Sequence, residues 1–160
     1  VTAPSRRRNI AIGAISLLVL ACLFGLGAWL QKLRATAEAL VLAEANREMA
    51  AGLRGECAAF QRARALYYRA MRHHLQSRDL LGKTSLAADL ARECENTAAG
   101  EALQTREHLL ASGHFTFDDV KQAAIGRLAR GDRALALADL AKLPDNEFCR
   151  WFGAWIRSLP

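Results

Sequence analysis

Beyond residue 31 the 160-residue chain has only four Val or Ile residues, Val41, Val120, Ile125 and Ile156. Strands draw on β-branched side chains, so this scarcity excludes an all-β fold and an α/β sheet. The first 37 residues contain no Asp or Glu, and Ile10–Leu30 contains no charge of either sign. No C-x-x-C, H-E-x-x-H, C-x-x-C-H, G-x-S-x-G or phosphate-cradling glycine loop occurs. Metal, haem and nucleophile chemistry each need such ligands or bases at fixed spacing. No carboxylate pair stands apart from the many charges of solvated faces either. The expectation is therefore a non-catalytic protein with no cofactor, no metal and no evident small-molecule substrate.

What the chain does contain is helix-forming. It has 32 Ala and 25 Leu, and 52% of its residues are hydrophobic, too many for a disordered chain. The length fits one small domain with an appendage. Lys and Arg number 22 against 16 Asp and Glu, a net +6, and the three arginines before residue 31 account for half of that excess. No basic cluster with interleaved aromatics remains after they are set aside, so nucleic-acid binding is not expected.

The appendage is Ile10–Leu30, 21 uncharged residues. At about 1.5 Å per residue a helix of that length crosses a hydrocarbon core of roughly 30 Å. Arg6, Arg7 and Arg8 precede it, while Lys32 and Arg34 follow, and Trp29 suits the far interface. The positive-inside rule then sets residues 1–9 in the cytoplasm and the remaining chain outside it. Two alternatives stand beside an uncleaved span. Val19-Leu20-Ala21-Cys22 resembles a bacterial lipobox, which would make Cys22 a lipid-bearing first residue, although the greasy run continues past it. Ala35-Thr36-Ala37 has the small-residue form of a signal cleavage site but lies beyond two basic residues.

After the span, residues 31–55 read as a helical stalk that Gly52 and Gly55 kink or end. From Glu56 to Leu81 the apolar positions Phe60, Tyr67, Met71 and Leu75 lie on one helical face. Gly82-Lys83 reads as its end, with Thr84 or Ser85 capping a helix that carries Leu86, Leu90 and Cys94. A bend is expected between Asn96 and Gly100, and a stop at Ser112-Gly113. Thr116, followed by Asp118 and Asp119, reads as an N-cap with acids in the first turn. Asp132 is read as the cap of a helix from Arg133 to Leu143, and Asp145 or Asn146 as that of Glu147–Ser158. Residues 129–144 are similar to the turn and second helix of a tetratricopeptide repeat, but no second copy occurs at a period near 34 residues. The fold class is all-α: a single N-terminal transmembrane helix followed by a small helical bundle or array over residues 56–160.

Cys22 falls inside the span, leaving Cys57, Cys94 and Cys149 in the body. In an oxidising compartment a disulfide becomes plausible, and Cys57–Cys94 is the favoured pair, because helices joined by a short turn bring both onto facing surfaces. His73 and His74 are adjacent and point about 100° apart on a helix, so they do not share a metal. The most distinctive stretch is NEFCRWFGAWIRSLP. Its Phe148, Trp151, Phe152, Trp155 and Ile156 form one face, either closing the core or making a partner-contact surface.

These features suggest a bitopic protein of a bacterial inner membrane with a periplasmic helical domain. Its expected role is an accessory, assembly or scaffold subunit of a larger membrane complex. Its expected partners are the lipid bilayer and other membrane or periplasmic subunits. The alternative is an anchored periplasmic binding module, a sensor partner or an immunity-type inhibitor, taking an acidic partner at Arg62, Arg64, Arg69 and Arg72.

Overall fold

The computed structural model describes residues 3–72, 77–96 and 99–160, with side chains from Ser16 onward except at residues 73–76 and 97–99. Among the described residues there are seven helices and no strand. They are α1 (Ala3–Leu53), α2 (Cys57–Met71), α3 (Arg78–Glu95), α4 (Ala99–Ser112), α5 (Phe117–Ala129), α6 (Arg133–Leu140) and α7 (Glu147–Ser158). The chain divides into two units, Val1–Leu40 and Val41–Pro160.

The first unit is the apolar part of α1. Every described side chain from Ser16 to Ala37 is exposed, Leu17 at 71% and Phe24 at 76% among them. By length and composition this helix is long and apolar enough to cross a membrane. Arg6, Arg7 and Arg8 lie within α1, but their side chains fall outside the described residues, as do the side chains of residues 10–15. Trp29 is exposed.

The second unit begins earlier than the stalk boundary at residue 55 anticipated. From Val41 onward α1 belongs to the folded body: Ala45, Met49 and Ala50 are buried in its core. Gly52 does not break the helix. A Cβ there would lie 2.5 Å from the Phe60 ring, so the glycine makes room for α2 to fold back on α1. The turn falls at Gly55, whose φ of +105° a side chain would disfavour. Tyr67 then donates its hydroxyl to Asn46 Oδ1 at 2.6 Å, and Arg62 Nε to Glu48 at 2.8 Å, fastening α2 to the end of α1.

The largest departure from the sequence reading concerns residues 72–85. A single helix from Glu56 to Leu81 is expected, yet α2 ends at Met71 and α3 begins at Arg78. Ser77 caps α3, its hydroxyl accepting from the Leu80 N–H at 3.3 Å, and Thr84 is interior, donating its hydroxyl to the Leu80 carbonyl. His73, His74 and Leu75 lie outside the described residues. Gly82 is no terminator but sits inside α3, where a Cβ would come within 2.7 Å of the Trp151 indole. We expect Gly82→Ala to destabilise the body by about 1–2 kcal/mol in urea unfolding, because overpacking a flat ring outweighs the helix-propensity gain. A gain of about 1 kcal/mol, the ordinary benefit of Ala over Gly, would show the contact to be loose.

The remaining helices follow their sequence signals closely. Thr116 and Asp119 form a capping box at the start of α5, and Asn146 accepts from the Cys149 N–H at the start of α7. Asp132 occupies the N-cap position of α6 without a side-chain cap bond, and α6 stops at Leu140 rather than Leu143. Arg133 donates to the Leu159 carbonyl at 3.1 Å and to that of Ile156, satisfying acceptors at the end of α7.

Candidate functional site

The aromatic face of α7 divides in two. Phe152 and Ile156 are fully buried and Trp155 is 5% exposed, so these three serve the core and offer no surface to a partner. Trp155 meets Tyr67 edge-on at 6.3 Å between ring centroids and stacks with Trp151 and Phe152 at 6.1 and 6.0 Å. Burial pushes the Tyr67 phenol up, and the neighbouring Trp155 N–H offsets this only in part. Phe148 and Trp151 are partly buried and keep an outer edge. They line a cleft of about 370 Å³ between α3 and α7, together with Arg78, Asp79, Gly82 and Glu147.

Asp79 organises the polar side of that cleft. Its Oδ1 accepts from the Trp151 indole N–H at 2.8 Å and its Oδ2 from Lys83 Nζ at 2.7 Å. Partial burial opposes ionisation, but the bonds from Lys83 and Trp151 outweigh it and hold the carboxyl below its ordinary value. A depressed folded value means the stabilisation is present above the unfolded pKa and disappears as pH falls through the folded one.

Cys57, at the start of α2, and Cys94, near the end of α3, are joined in a disulfide with Cα atoms 5.6 Å apart. That separation is within the usual bridging range. The bond shows that α2 and α3 run antiparallel. In the chain-entropy model, closing a 37-residue loop contributes about 3–4 kcal/mol. The double variant Cys57→Ser/Cys94→Ser should lose about that much in urea unfolding. Alkylation of both thiols in native protein without reductant would contradict the bond. Cys22 is free and exposed, whereas Cys149 is free and buried, with burial raising its thiol pKa.

One polar cluster escaped the sequence reading. Asp139 on α6 is 3% exposed, with Arg127 Nε of α5 at 2.7 Å from Oδ2 and Lys142 Nζ at 3.3 Å from Oδ1. Arg127 also reaches Glu107 of α4 at 3.4 Å. The Arg127–Asp139 contact is an ion pair rather than an aligned hydrogen bond. Only the setting of Asp139, between Ala138 and Leu140 in an Ala/Leu-rich helix, signals its burial. The cluster ties three helices.

His108 and His114 are exposed. Among the described residues no group of three His, Cys, Asp or Glu side chains is placed to hold a metal ion. Compared with protein-family models, with curated proteins and with solved structures, the chain gives no match.

Proposed function

We propose that the chain is a bitopic membrane protein and a non-catalytic accessory, assembly or scaffold subunit of a larger complex. Its first helix crosses a bacterial inner membrane with Arg6, Arg7 and Arg8 on the cytoplasmic side, and its helical body lies in the periplasm. The observation that carries this reading is the bare apolar surface of α1. Leu17, Leu18, Leu23, Phe24 and Leu26 are each more than half exposed. Water does not tolerate a continuous patch of that kind, whereas lipid or a neighbouring membrane helix does.

Two further features support the reading. The Cys57–Cys94 bond fits an oxidising compartment. The body is closed by its own aromatic helix, which leaves its outer faces for contact with other subunits. Solubilisation of native membranes in mild detergent, followed by native size analysis, tests the role. A complex of several subunits containing this chain is expected. A free monomer at every detergent concentration would overturn the subunit reading.

A further inference from the structure

The outer side of the α2–α3 hairpin carries a groove that the core does not use. Two adjoining depressions of about 500 and 430 Å³ share Gln61 and Arg64 and run along the hairpin. Ala65 and Ala88 form a low floor, and Tyr68 and Leu81, 53% and 59% exposed, stand as apolar walls. From Gln61 to Met71 the groove follows α2 for about 15 Å, nearly three helical turns.

Its charge is of one sign along α2. No acidic residue occurs between Cys57 and Met71. Arg64 makes no ion pair with the described residues, and the Arg72 guanidinium lies 5.9 Å from the Tyr68 ring centroid. On the α3 side, the depression that holds neither Tyr68 nor Leu81 is lined by Arg92, which pairs with Asp89, and by one acid, Glu95. Exposed Tyr and unpaired Arg beside apolar surface are the ingredients of an interface centre, because each adds contact area or a directed charge once water is removed.

We propose that this groove receives an acidic amphipathic helix of a partner protein. Its apolar seam lies between Tyr68 and Leu81, and its carboxylates face Arg64 and Arg72. The small side chains of Ala65 and Ala88 admit the helix closely, as ridge-into-groove packing requires. A flat anionic lipid surface would meet the arginines but would not reach the floor between the two helices. The inference rests on the accessory-subunit reading and names its contact surface.

Site-specific photocrosslinking in living cells tests it on the full chain. A photoreactive phenylalanine analogue replaces Tyr68 or Leu81 in the groove, or Leu135, which is also half exposed but lies on α6. Adducts are expected from the two groove positions and not from Leu135, mapping to a segment with carboxylates flanking an apolar helical seam. Arg64→Glu/Arg72→Glu should lower the adduct yield about tenfold or more while leaving the melting curve of these exposed-site variants unchanged. Arg64→Gln/Arg72→Gln and raised salt should lower it in the same direction. Adducts with lipid alone, with a second copy of this chain or with a segment lacking acidic residues would each overturn the proposal. So would equal yield at Leu135, or no adduct at all. If subunits still co-purify but crosslink elsewhere, only the groove is refuted; a free monomer removes the subunit reading itself.

Discussion

Trp155→Ala is expected to destabilise the body by about 3–5 kcal/mol, the range for truncating a large buried aromatic. The indole is 5% exposed and touches rings from its own helix and from α2. Its removal forfeits roughly 150–250 Å² of buried surface and leaves a cavity that its neighbours fill only in part. Tyr67 is fastened to α1 through Asn46, and Phe152 is held on the rigid face of α7, so neither moves far into the gap. In a body of this size the melting temperature should fall on the order of 10–20 °C. An unchanged melting curve with loss of co-purifying subunits would mean that the aromatic face is a docking surface rather than core.

Asp139→Ala should cost a comparable amount, about 3–5 kcal/mol, for a different reason. The Arg127 side chain is only 13% exposed. Without Asp139 its charge retains only Glu107, at 3.4 Å and partly in water. The penalty is thus the desolvation of an arginine left uncompensated, more than the loss of a favourable pair. The double variant Arg127→Met/Asp139→Leu separates the two. It should recover most of the stability in urea unfolding, because apolar residues of similar volume replace a buried ion pair at little net cost. If the double variant is no more stable than Asp139→Ala alone, the pair itself holds α5 against α6.

The helical class was readable from the near absence of β-branched residues after position 31, and α5 and α7 from their capping residues. The pairing of Cys57 with Cys94 was also approachable, because two amphipathic segments joined by a short turn must face each other. What could not be read depends on neighbours remote in the chain. Gly82 looks like a stop signal, and only the Trp151 ring lying against it explains why it sits inside a helix. Gly52 misleads in the same way, its meaning set by Phe60. Where a stalk gives way to the body is not legible in sequence, because Ala45 and Met49 look no different from residues of a solvated helix, yet both are fully buried. Whether the aromatic face of α7 closes the core or meets a partner is not legible either, since periodicity locates an apolar face without saying what it meets; Phe152, Trp155 and Ile156 are core.

The central proposal is that α1 stays in the bilayer and delivers the body to the far side. The most direct test uses the full chain with Cys22 and Cys149 changed to Ser and one reporter thiol added, either at Thr2 or at Ala111, which is exposed on α4. A membrane-impermeant maleimide is applied to spheroplasts before and after permeabilisation. The Ala111→Cys protein should label in intact spheroplasts and the Thr2→Cys protein only after permeabilisation, with both remaining in the membrane pellet after an alkaline carbonate wash. Labelling of Ala111→Cys only after permeabilisation, or release of the chain by carbonate, would contradict the proposed orientation or the proposed span.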